Sequence, residues 1–202
     1  MCHSDSTMQK IKTFMTTSAI QHHLLSVSDY YRMAETNILT EDEHVELING
    51  ELFDMAPIGS FHAGLVTRLS RLLINKLGEL AIVTVQNPLY LSEFSAPEPD
   101  IAVLKPRADD YMQSLPTAQD VLLLIEVADT SLYYDRNIKL PLYAKHQIPE
   151  VWLFDVKEKR LDIYQQPDND YYRLHLRPKA KEEIQPLLVA SVSMDWQGLF
   201  SY

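Results

Sequence analysis

Val121-Leu-Leu-Leu-Ile-Glu-Val127 is the stretch on which the fold turns. Its apolar residues run on without the alternation of a half-exposed strand, as in a central strand covered on both faces. Upstream, Pro97-Glu-Pro-Asp100 introduces a short strand over residues 100–104. Prolines suit a strand entry because no ladder donor is lost there. Downstream, the pattern predicts a helix within residues 134–146 and a second buried strand over 151–154, closed by Asp155. Strand, helix and strand at this spacing make a parallel, right-handed crossover. Pro141 is awkward inside that helix, since it removes one backbone bond and favours a kink.

Further out, Ser26-Val-Ser-Asp29 reads as the capped start of a short helix. Asn49-Gly50 between two apolar-rich runs is a hairpin signal, because a type I′ turn needs positive φ at both central positions. Phe61, Leu65, Leu69, Leu72, Leu73 and Leu77 recur at helical spacing, with Ser60 as the expected cap and Gly78 as the expected stop. Residues 81–85 and 89–91 read as strands, 105–120 as a polar connection with a short helical turn, and 160–165 with 171–176 as an antiparallel pair. The expected fold is α/β (α+β): a central mixed sheet flanked by helices, an extra N-terminal hairpin and C-terminal antiparallel strands. Residues 1–25 are expected to be a flexible tail and 26–202 a single domain.

Composition narrows the function. Residues 121–125 are the longest apolar run, far short of the ~18 that span a membrane. The Ser/Thr-rich start lacks the apolar core of a secretory signal; a transit peptide is the alternative, with Met8 and Met15 as alternative starts. A single cysteine, Cys2, fits a reducing, cytoplasmic setting. The net charge of −10 disfavours indiscriminate adhesion to nucleic acid. It is unevenly spread: residues 29–54 hold eight acids against Arg32, whereas 157–181 hold seven bases against four acids. A local basic face and ordinary Lys-rich strand edges both fit the second segment. No Gly-x-Gly, Gly-x-Ser-x-Gly or Cys-x-x-Cys occurs, so the dinucleotide, Walker, serine-hydrolase and thiolate-zinc motifs are absent.

What remains is a pair of carboxylates in costly places. Asp100 opens one strand and Glu126 lies near the end of the most apolar one. If the two strands are antiparallel neighbours, the acids converge at one sheet edge and offer oxygen ligands to a hard cation such as Mg²⁺. Lys139, thirteen residues after Glu126 on the crossover helix, would overhang them and either stabilise charge on a phosphate or orient a water. Bland readings stand beside these: Asp100 capping a turn after Pro99, Glu126 paired with a core Tyr or Arg, and Lys139 as a surface partner of Asp135.

Pro99-Asp-Ile-Ala-Val103, Ile125-Glu-Val127, Asp135-x-x-x-Lys139-x-x-x-Tyr143 and Ile148-Pro-Glu-Val-Trp-Leu-Phe-Asp155 resemble the Uma-type restriction endonuclease family, a branch of the PD-(D/E)XK nuclease superfamily. Glu46-Leu-Ile-Asn-Gly-Glu-Leu52 and His62 resemble it too, so the likeness covers roughly residues 27–165. The resemblance implies a restriction-endonuclease-like core and Mg²⁺- or Mn²⁺-dependent cleavage of double-stranded DNA. Asp100, Glu126 and the backbone carbonyl of Val127 would hold the metal, and Lys139 would be the catalytic lysine. The superfamily pattern expects lysine two residues after the acid, but position 128 is Ala, so the lysine has moved to the helix. Glu46 is either a further acid of the site or an exposed hairpin residue. His62 is either a site residue or a satisfied, partly buried histidine. Trp152, Tyr143 and Asp155 are expected to pack or position the crossover. Cutting both strands with one site per chain favours a homodimer. The competing classes are a non-catalytic binding or scaffolding protein on the same fold and a nuclease acting on RNA.

Overall fold

A computed structural model describes residues 22–40, 42–189 and 192–201. Most of the tail expected over 1–25 therefore lies outside the described residues. The core is a six-stranded mixed sheet in the order β3-β4-β5-β6-β7-β8: Ile82–Val85, Ile101–Leu104, Val121–Ala128, Glu150–Asp155, Arg160–Asp168 and Tyr171–Leu176. Only β5 and β6 run parallel; the remaining pairs are antiparallel. The connection that parallel pairing demands is helical. It comprises α3 (Leu132–Tyr134), a wide turn over Asp135–Lys139 and α4 (Leu140–Lys145), continuous with one another.

Strand periodicity assigns β5 to two cores at once. Leu123, Ile125 and Val127 face α2 (Ser60–Leu77), which buries Leu65, Val66, Leu69, Leu73 and Leu77 on that side. Leu124 and Ala128 face the crossover helix with Leu140, Tyr143, Ile148 and Leu153. Glu126 has the parity of the second face, so it points under the crossover.

The wide turn has its cause in Pro141. Leu140 donates its N–H to the Asp135 carbonyl, five residues back. Pro141, next in line, has no N–H, and its ring would press on the carbonyl four residues before it. Widening the preceding turn relieves that conflict, and single π-type turns of this kind recur at functional sites. The kink expected at Pro141 is thus a widened turn, and both its ends, Asp135 and Lys139, are buried.

Near the N-terminus, α1 (Val27–Glu35) carries a full capping box in which Ser26 and Asp29 exchange bonds. The hairpin β1 (Val45–Ile48) and β2 (Glu51–Asp54) turns at Asn49 and Gly50 with φ of 51° and 81°. It forms a two-stranded sheet of its own. Two local expectations fail. Ser60 does not cap α2: Gly59 occupies the cap position in an extended conformation and Ser60 is already helical. Residues 89–91 make only an isolated bridge, Tyr90 to Thr117, because Pro88 and the turn over Ser92–Ser95 leave no room for a ladder. A small pair unforeseen in the sequence, β9 (Glu183–Ile184) with β10 (Met194–Asp195), closes the C-terminal side of the α2 core. No described helix is long and apolar enough to cross a membrane.

Candidate active site

The β4–β5 ladder ends at the pair Ile101–Ile125, so Asp100 emerges beside Glu126. Beyond that pair β5 continues without a strand partner on this side, and the Val127 N–H would be orphaned. Asp100 Oδ2 accepts it at 2.8 Å, a side chain replacing the missing strand. The Asp100 N–H in turn lies 3.4 Å from Glu126 Oε2. N–H and C=O of one residue in an extended strand point the same way, so the Val127 carbonyl also faces this edge.

Glu126 is buried to 2% exposure. Its Oε1 accepts from the Tyr143 hydroxyl at 2.6 Å and pairs with Lys139 Nζ at 3.3 Å. Lys139, also buried, places the same ammonium 3.3 Å from Glu46 Oε1 and donates to the Glu98 carbonyl at 3.0 Å. The ammonium thus has two carboxylate oxygens and one carbonyl oxygen within 3.3 Å. Glu46 reaches the cluster because its hairpin packs on the loop before β4: Leu47 bridges to Ala96, and the Glu98 N–H donates to Glu46 Oε2 at 2.9 Å. From the first turn of α2, His62 Nε2 approaches Asp100 Oδ1 at 3.0 Å, while its Nδ1 is buried without a partner.

Acids outnumber bases here. Glu46, Glu126 and Asp135 are buried and Glu98 and Asp100 partly so, against buried Lys139 and the imidazole of His62. Burial pushes the Glu126 carboxyl well above its usual range, more than Lys139 pulls it down. Burial raises Asp135 to about 6, against Lys139 and a bond from Ser131. Glu98 rises to about 7 through burial and the nearby Glu46. Burial opposes the Lys139 charge, but Glu126, Glu46, Asp135 and Asp100 together outweigh it and hold the ammonium well above an ordinary lysine. The bond to Asp100 raises His62, with burial opposing.

Asp100, Glu126, Lys139, Glu46 and His62, drawn from five separate segments, thus meet at one place. The surface-partner reading of Lys139 is wrong: Asp135 and Lys139 are both buried, and the ammonium's direct contacts are with Glu126, Glu46 and the Glu98 carbonyl. The exposed-hairpin reading of Glu46 is wrong as well, for it is 1% exposed. Glu126 does pair with a core tyrosine, Tyr143, and with the lysine besides. Asp135 and Glu98 were missed as members of the cluster. Asp135, Lys139 and Tyr143 recur every four residues, which marks one helix face, and that spacing was the available signal. Among the described residues no three His, Cys, Asp or Glu side chains stand together as a metal-ligating group.

A solved structure, a putative nuclease belonging to DUF820 from Anabaena variabilis ATCC 29413, superposes with a TM-score of 0.68 at 13% identity, over 88% of this chain and 98% of that one. At that identity the likeness shows the fold alone. A search of curated proteins finds no match. The profile of one family, "Uma2: Putative restriction endonuclease", matches residues 27–197. That match spans both sheet faces and every member of the acid cluster, and the chain belongs to the Uma2 family.

Proposed function

We propose that the chain is a divalent-metal-dependent nuclease that hydrolyses DNA phosphodiester bonds at the sheet edge where Asp100 and Glu126 meet. One observation carries this reading: a buried excess of carboxylates gathered around a single buried lysine. Apolar packing would be the cheaper solution for a fold without a cationic ligand. The donor set suits Mg²⁺ or Mn²⁺: Asp100, Glu126 and the Val127 carbonyl are all oxygen ligands. Mg²⁺ commonly uses one or two carboxylates and keeps several waters, so a third side chain is not required. Bound there, the ion supplies Lewis-acid polarisation of the phosphoryl group and a more acidic water.

The chain's own groups divide the remaining work. Tyr143 and Lys139 fix Glu126 from one side, and His62 with the Val127 N–H fixes Asp100. Such bonds hold both carboxylates in one orientation before substrate arrives. Lys139 remains an ammonium at neutral pH, so it is no general base. It acts as a fixed positive charge beside the place where negative charge builds on phosphorus. To touch the phosphate itself it must turn away from one of these three oxygen neighbours.

The test is cleavage of supercoiled plasmid with Mg²⁺ or Mn²⁺. Asp100→Asn and Glu126→Gln, which preserve shape, should each lower the rate by about a hundredfold or more. Retained cutting in both would refute the assignment. The net charge of −10 favours a second reading, a non-catalytic binding protein on the same fold. Wild-type protein that cuts neither DNA nor RNA with either ion would establish it.

A further inference from the structure

Two strands away from Glu126 lies a second charged cluster of opposite sign. Asp162 on β7 is fully buried. Its carboxylate accepts from Arg136 Nη2 at 3.1 Å, Arg177 Nε at 2.7 Å and His175 Nε2 at 3.0 Å. Arg160 Nε lies 3.4 Å away, and the same side chain bonds Asp155 at 2.6 Å. A carboxylate is satisfied by one bidentate guanidinium. Three guanidiniums and an imidazole over one buried carboxylate, with one further aspartate at the side, leave an uncompensated positive charge and mutual repulsion. The stability of Asp162 does not require that arrangement, whereas a second anion would complete it. Donors for one remain: Arg177 is half exposed and, among the described residues, hydrogen-bonds from Nε alone. Arg136 is 38% exposed and bonds Asp162 through Nη2.

The register places this cluster on the face of the candidate site. Glu126 pairs with Leu153, and Leu153 with Asp162, so the two acids stand in one row with side chains on the same side of the sheet. Two strand spacings separate them by ~10 Å, within reach of neighbouring phosphates on one nucleic-acid strand. Arg136 belongs to the same wide turn as Asp135 and Lys139.

We propose that Arg136, Arg160, Arg177 and His175, pre-arranged by Asp162, bind a backbone phosphate of the nucleic-acid substrate close to the scissile one. This inference rests on the nucleic-acid reading above and adds the place where the strand is held. It also gives an acidic protein a local basic contact for a polyanion, and phosphate contacts of this kind set register without reading sequence.

Fluorescence anisotropy of a labelled DNA duplex, titrated without divalent ions at several salt concentrations, tests it. Arg177→Gln and Arg136→Gln should each reduce the slope of log affinity against log salt by about 1. Between 50 and 200 mM salt that shrinks the wild-type loss of affinity by about fourfold. Arg71→Gln, on the helix covering the opposite face, should leave the slope unchanged. A single-stranded RNA of the same length runs in parallel, and a slope change on both polymers identifies phosphate read without regard to sugar. Unchanged slopes in both cluster variants, or wild-type binding indifferent to salt, overturn the proposal. Arginine-dependent binding without cleavage would refute the nuclease chemistry and leave this site standing. Cleavage with unchanged slopes would do the reverse.

Discussion

Replacing Lys139 by methionine keeps the volume and removes the charge, and it isolates what holds the cluster together. Two carboxylate oxygens, of Glu126 and Glu46, lie 3.3 Å from Nζ. At the effective dielectric that suits such sites, each contact is worth ~5 kcal/mol before desolvation. Returning the ammonium to water offsets much of that, but the two acids remain buried and unpaired. Breaking a buried pair from one side costs about 3–5 kcal/mol. That is a large share of a typical domain stability of about 5–15 kcal/mol. Guanidinium unfolding at pH 7, followed through buried Trp152 and Trp196, measures it. Adding Glu46→Gln to Lys139→Met should recover part of the loss, and the loss should shrink as pH falls, because burial favours the protonated form of the stranded Glu126 carboxyl. Exposed Lys145 changed to Met should cost under about 0.5 kcal/mol. A Lys139→Met cost below about 1 kcal/mol, equal to the Lys145 control, would refute the buried three-way pairing.

Three further outcomes follow from the same cluster. Tyr143→Phe deletes the 2.6 Å bond to Glu126, and a lost bond to a charged group should cost about 1.5–3 kcal/mol in the same unfolding assay. Asp135, raised to about 6 in the fold, binds its proton more tightly than the unfolded chain does. Its contribution is therefore fully present below about pH 4 and is lost as pH rises through about 6, roughly 3 kcal/mol in all. Asp135→Asn should flatten the fall in stability over that window, and an unchanged pH slope would contradict the burial of this acid. Finally, Mg²⁺ at a hundred times its Kd should stabilise the wild type by about 2.7 kcal/mol, read as a rise in Tm at pH 8. The rise should vanish in Asp100→Asn and Glu126→Gln.

The parts of this molecule legible in its sequence are those governed by local rules. Val121 to Val127 read as a doubly covered strand because only a central strand tolerates that run, and the crossover and the antiparallel β4 follow from it. That pairing alone brings Asp100 to Glu126. Residues 89–91 looked like a strand because their apolar alternation is real; it serves packing, with Leu89 and Leu91 buried beside an isolated bridge. Asp135, Glu46 and Glu98 were harder for another reason. Their burial is imposed by elements distant in the chain, the hairpin lying on the loop before β4 and the widened turn over the sheet edge. A charged residue on a short helix reads as solvent-facing until something is known to lie above it.

The lysine's place on the helix also acquires a physical account. Position 128, where the superfamily pattern expects it, shares the face of Glu126 and is a buried alanine packed beneath the crossover. A lysine there would have to thread its stem through the core formed by Leu140, Tyr143 and Leu153. From the wide turn the side chain enters from above, and the ammonium reaches Glu126 while standing over the Tyr134 ring, 5.9 Å from its centroid. The same turn points Asp135 into the cluster and Arg136 toward Asp162. One irregularity, set by Pro141, thus delivers an acid, a base and an arginine to a single face of the sheet. Straightening it would disturb all three together, which makes the proline as consequential for the site as the residues that would touch a substrate.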